Sequence, residues 1–137
     1  MSAGRLLGVD LGSKRIGVAV SDADRTVATG VRILTRGGAR SADHQALASL
    51  VAEFEAVGVV VGLPLSLSGA HGPAAEHVLA EVAELRLSLP VDVHTVDERL
   101  TTVAASAGPP RKGRPVDDMA AALILQTWMD RERNRVD

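Results

Sequence analysis

The 137-residue chain contains no cysteine. Disulfides, thiolate metal sites and cysteine nucleophiles are therefore excluded, and the composition suits a reducing compartment. Aromatic residues are almost absent: Phe54, Trp128 and no tyrosine. Platforms that read single-stranded nucleic acid by stacking need several exposed rings. A nucleic-acid partner would have to be held mainly through its phosphate backbone and shape. No stretch approaches the roughly 18–20 apolar residues of a membrane span. The N-terminus lacks the apolar core and small-residue cleavage site of a signal peptide, so a cytoplasmic protein with no membrane partner is expected. Neither GxxxxGKS/T nor GxGxxG occurs, and Ser66 and Ser68 have no nucleophile-elbow motif or base beside them.

Net charge is also small, −2, but it is unevenly distributed. Residues 1–40 hold seven Lys/Arg and three acids, residues 41–98 one and nine, and residues 99–137 seven and five. One basic rim built from the two ends of the chain, against an acidic back, is a possible consequence; scattered solvated charge is the other.

What is present is a patterned α/β chain. RLLGVDL (5–11) reads as a buried strand and Gly12-Ser13-Lys14 as a turn, with a second strand through Ile16, Val18 and Val20. A third strand, TVATGVRIL, places Val27, Thr29, Val31 and Ile33 on one face. Connections this short require an antiparallel meander. Leu47, Leu50, Val51 and Phe54 then follow helical spacing, with Ser41 as the expected N-cap. VGVVVGL (57–63) is apolar throughout, as for a strand covered on both faces. Pro73 opens a second helix with Ala75, Val78, Leu79 and Val82 inward. VDVHTV forms a fifth strand ending at Asp97-Glu98, and Val116–Asp130 a last helix. The order β-β-β-α-β-α-β-α gives one α/β domain over residues 1–137. Its sheet is mixed and five-stranded, three antiparallel strands then two parallel, with helices on both faces.

Three carboxylates fall at informative places. Asp10 lies near the carboxyl end of the first strand and Glu98 just beyond that of the fifth; these strands are expected to be neighbours. Asp117 precedes Ala120, Ala121, Ile124 and Trp128 at i+3, i+4, i+7 and i+11, which puts it on the inner face of the last helix. Like charges gathered in one place repel, and a hard divalent cation with oxygen ligands offsets that cost. Each acid also has an ordinary alternative: a hydrogen-bonded strand residue, a surface acid, and a partner of the helix dipole. Adjacent Asp97 and Asp118 are further candidates to assist. His71, His77 and His94 lack ligand spacing, and His94 is expected to alternate outward.

With these residues in place, the chain resembles the YqgF/RuvX-type family of RNase H-like nucleases. The supporting segments are GVDLGSKRIGVAVSD, VVVGLPLSLSGAHGPAAE, VDERLTT and VDDMAAALILQ, in that order and nearly end to end. The middle loop departs from the family's usual LPLNMDG, with Ser66, Ser68 and His71 in those places. The resemblance implies an RNase H-like fold and a nuclease using Mg²⁺ or Mn²⁺, held by Asp10, Glu98 and Asp117. It implies one of two roles: 5′-end maturation of precursor 16S rRNA, or cleavage of four-way DNA junctions, which requires a homodimer rather than a monomer. Lys14, Arg15, Arg99, Arg111, Lys112 and Arg114 are the candidate contacts to structured RNA or branched DNA. Two rivals remain. GVDLGS also resembles the first phosphate loop of actin-like ATPases, which bind ATP between two such domains where this chain has one. A non-catalytic RNA-binding assembly factor with the same fold is the other.

Overall fold

The computed structural model describes residues 4–64, 72–97 and 116–134, with side chains in the last segment from Met119 onward. The elements are β1 (Arg5–Leu11), β2 (Arg15–Ser21), β3 (Ala28–Thr35), α1 (Arg40–Glu53), β4 (Ala56–Leu63), α2 (Pro73–Ser88), β5 (Asp92–Asp97) and α3 (Val116–Asn134). The strands form one sheet in the order β3-β2-β1-β4-β5. β1 pairs antiparallel with β2, and β2 with β3; β4 runs parallel to both β1 and β5. The expected fold class is the observed one.

One placement differs. β1 and β5 are not neighbours, because β4 lies between them. The continuous apolar run of β4 explains this. Val59 and Val61 enter the core under α1 and α2, while Val60 enters the core under α3, so only a central position covers both faces.

The two cores sit on opposite faces of the sheet. Leu7, Val9, Ile16 and Val18 pack with Leu47, Leu50, Val78 and Leu85 from α1 and α2. Leu6, Ala19, Val60 and Val96 pack with Ala121, Ile124, Leu125 and Met129 from α3. Alternation along β1 therefore assigns odd positions to the first core and even positions, Leu6, Gly8 and Asp10, to the α3 side.

Alternation fails in β3. Val18 pairs with Arg32 but Ala19 pairs with Gly30, so Val31 is an extra residue opposite neither. This bulge breaks the expected face: Val31 and Leu34 pack on the first core and Ala28 on the second. Val27 lies before the strand and is 57% exposed. α1 also begins differently, at Arg40, with Ala39 at the N-cap and no side-chain cap, so Ser41 is not the cap. α3 runs four residues beyond Asp130, to Asn134.

Candidate active site at the carboxyl edge of the sheet

Val61 of β4 pairs with Val9 on one side and Thr95 on the other. The carboxyl ends of β1, β4 and β5 therefore share one edge of the sheet, with Asp10 one residue past that common row and Asp97 two. β1 and β5 are about 10 Å apart across β4. Asp10 is half-buried, and so is Asp97, the last residue of β5. Glu98 follows Asp97 directly and lies outside the described residues.

α3 reaches the same edge because of Gly8. A Cβ added there would stand 2.6 Å from Leu125 Cβ and 2.7 Å from the Ala121 carbonyl oxygen, so the helix rests on the bare backbone of β1. The helix runs antiparallel to β1. Its carboxyl half meets the far end of the sheet, where Trp128 stacks on His94 with ring centroids 4.9 Å apart. Gln126 there accepts from the Ala28 amide at 3.0 Å and donates to the Thr26 carbonyl at 2.9 Å. Asp117, four residues before Ala121, thus begins α3 at the Asp10 edge. The stack also places His94 against α3 rather than outward.

The turn after Asp10 is tight. The Gly12 amide donates to the Asp10 carbonyl at 3.1 Å, and a Cβ on Gly12 would meet the Arg15 carbonyl oxygen at 2.6 Å. Lys14 and Arg15 are exposed on this turn, beside Asp10. Arg99, Arg111, Lys112 and Arg114 lie outside the described residues, as do Ser66, Ser68 and His71. Among the described residues no three His, Cys, Asp or Glu side chains cluster as a metal site.

A polar network on the α1/α2 side is absent from the sequence reading. Arg36, just past β3, donates from Nε to the Gly12 carbonyl at 2.7 Å. Its two terminal nitrogens grip both oxygens of Glu81 at 2.9 and 3.0 Å, and one also reaches Asp43 at 3.3 Å. The buried His44 Nε2 lies 2.8 Å from Glu81 Oε2. Burial pushes the Glu81 carboxyl up, but hydrogen bonds from Arg36 and His44, with their charges, outweigh it and hold the group below its usual range. The same Glu81 bond raises the Arg36 guanidinium above its ordinary value. The helical phase carried the signal: Glu81 is three residues after Val78 and four before Leu85, and His44 three before Leu47, all inward positions.

The network also bears on the charge pattern of the described residues. Arg32 pairs with Glu53, Arg36 with Asp43 and Glu81, and Arg40 with Glu84. Three cations of the basic first segment are thus matched to acids of the acidic middle segment. That part of the uneven charge closes on itself, and Lys14 and Arg15 lie exposed near Asp10.

Comparison with known proteins follows from this geometry. The family model "RuvX: Holliday junction resolvase" matches residues 4–131. The chain belongs to the RuvX family. Relatives in this nuclease family include a protein of Streptomyces coelicolor, 48% identical over 97% of this chain and 84% of that protein. Another, from Mycobacterium sp. (strain KMS), is 47% identical over 95% and 82%. A third, from Halalkalibacterium halodurans, is 44% identical over 94% and 98%. All three carry the name "Putative pre-16S rRNA nuclease". Among solved structures, Thermus thermophilus RuvC in complex with Holliday junction substrate superposes with a TM-score of 0.68. It shares 16% identity and 96% of each chain is covered. That likeness in backbone to RuvC shows the RNase H-like fold. Among the described residues no helix is long and apolar enough to cross a membrane.

Proposed function

We propose that this RuvX protein is a divalent-metal-dependent nuclease of structured RNA, acting in 5′-end maturation of precursor 16S rRNA in the cytoplasm. The observation that carries the substrate is the shared name of relatives 44–48% identical over almost the whole chain. The observation that favours the chemistry is the shared edge: Asp10 at the end of β1, Asp117 in the first turn of α3, and Glu98 directly after β5. All three donors are carboxylates, the hard oxygen ligands that Mg²⁺ or Mn²⁺ prefers. Bound there, such ions would activate a water and stabilise the leaving oxygen of a phosphodiester.

The chain's own residues supply the rest. Asp10 offers its carboxylate from a strand end fixed by pairing with Gly17. Lys14 and Arg15, exposed on the adjoining turn, meet the phosphate backbone, with Arg99, Arg111, Lys112 and Arg114 as further contacts. The scarcity of aromatic rings agrees with recognition by backbone and shape. Four-way DNA junctions are the second reading, favoured by the family description and requiring two copies of the chain.

The test is cleavage of precursor rRNA ends and four-way junctions, side by side, with Mn²⁺ or Mg²⁺. Asp10→Asn and Glu98→Gln should each reduce cleavage by at least about 10³-fold with the fold intact, as for loss of a group that holds charge in the transition state. Unchanged cleavage in both variants would refute the site, and absence of metal binding would favour a non-catalytic assembly factor.

A further inference from the structure

Asp10 is carried by a strand end, and something must hold that end still. The β1–β2 turn borders open space on the α1/α2 side. Gly12 and Ser13 there line an open cavity of about 390 Å³ together with Arg36, Pro64, His77 and Glu81. Arg36 bridges this gap. Its amide donates to the Lys14 carbonyl at 3.0 Å while its Nε donates to the Gly12 carbonyl, so one residue holds the turn at two points. The other edge of the guanidinium is locked by Glu81 on α2, and the network continues to Asp43 and His44 on α1. Asp43 also accepts from the Gly37 amide at 3.3 Å, which fixes the chain around Arg36 itself.

Buried ion pairs add little net stability compared with apolar residues of the same shape. Stability alone therefore gives no reason for four charged or polar side chains to meet at this point. Their common endpoint is a backbone carbonyl two residues from Asp10. We propose that Arg36 is a positioning residue of the nuclease. Through the Gly12 carbonyl it sets where β1 presents the Asp10 carboxylate to a divalent cation, and Glu81, Asp43 and His44 brace it. This rests on the metal-site reading above.

Arg36→Lys separates positioning from simple packing, because an ammonium keeps the charge but cannot serve Glu81 at two points and Gly12 at once. Three readouts apply: Mn²⁺ titration by calorimetry, hydrogen exchange of the Gly12 amide in the metal-free protein, and kcat against KM. Expected are Mn²⁺ binding weakened at least fivefold, Gly12 exchange accelerated at least fivefold, and a lower kcat with KM for nucleic acid within twofold. A variant that loses only thermal stability, with Mn²⁺ affinity and Gly12 exchange unchanged, overturns the proposal. Should Arg36→Lys not fold, Glu81→Gln removes the brace with little change of shape, and the same criteria decide. A wild-type protein that binds no Mn²⁺, or an Asp10→Asn variant that binds it equally well, overturns the metal-site reading instead. In that case Gly12 exchange still reports whether Arg36 braces the turn.

Discussion

The two turns of the β1–β2–β3 meander draw their carboxylates from different places. The β2–β3 turn is closed by its own residues and tethered from outside, where Gln126 and Arg133 of α3 donate to the Thr26 and Arg25 carbonyls. The Asp22 carboxylate accepts from the Thr26 amide at 2.7 Å, the Thr26 hydroxyl at 2.5 Å and the Val27 amide at 3.1 Å. These bonds, the Thr26 hydroxyl first, lower the Asp22 pKa to about 2. Arg25 adopts φ 57° within the same few residues, and its amide closes back on the Asp22 carbonyl at 3.1 Å. The groups that bond to the Asp22 carboxylate are all within five residues of it. The β1–β2 turn, by contrast, is gripped by Arg36, 24 residues from Gly12, which in turn depends on side chains of two helices. The turn that only reverses the chain takes its closing carboxylate from its own residues. The one that ends a strand bearing a candidate metal ligand is specified by the scaffold around it.

Perturbing each turn in order of expected effect tests this contrast. Arg36→Ala leaves Glu81 and Asp43 buried without their cation, and removing one member of such a group costs about 3–5 kcal/mol. Urea unfolding should show that loss, with cleavage falling further than the folded fraction accounts for. Gly12→Ala places a methyl 2.6 Å from a backbone oxygen, so the turn must move. Overpacking of that kind costs about 1–3 kcal/mol, and here too the loss of cleavage should exceed the loss of fold.

Asp22→Ala should lower the urea midpoint and leave cleavage unchanged. Its signature is in acid. A carboxyl whose pKa is depressed by folding stabilises above its unfolded value, near 3.8, and that contribution disappears as pH falls towards about 2. The wild-type protein should therefore lose this increment between about pH 4 and 2, and the variant should lack that part of the acid limb. Arg32→Gln, which breaks an exposed pair with Glu53, should change stability by no more than about 1 kcal/mol and cleavage not at all. A large effect on cleavage from either Asp22→Ala or Arg32→Gln would erase the distinction between the turns.

The same contrast explains what could be read from the sequence. β1, β2 and β4 follow from their apolar patterns because each position obeys one local rule: alternation, or apolar throughout. β3 does not, since its bulge at Val31 arises from pairing with β2, and nothing local to TVATGVRIL announces it. The Asp22-Ala23-Asp24-Arg25 stretch reads as a polar turn from its residues alone. Arg36, Asp43, His44 and Glu81 cannot be read so, because their connection spans 45 residues and exists only once α1 and α2 have packed. A charged residue at an inward helix position was the available clue. For the candidate site, the positions of Asp10 at the end of β1 and Asp117 at the start of α3 are legible in the sequence. The interposed β4 is not, because strand order is a property of the whole sheet.

Gly8 has a mechanical consequence. The contact between α3 and β1 acts as a fulcrum, with Asp117 only four residues, about 6 Å, along the helix from Ala121. With so short a lever arm, a tilt of about 10° about that point shifts the Asp117 backbone by only about 1 Å. For the same tilt the far end of α3, at Asn134, would move about three times as far. Any tilt about that contact would therefore displace least the edge that carries the acids of the proposed site.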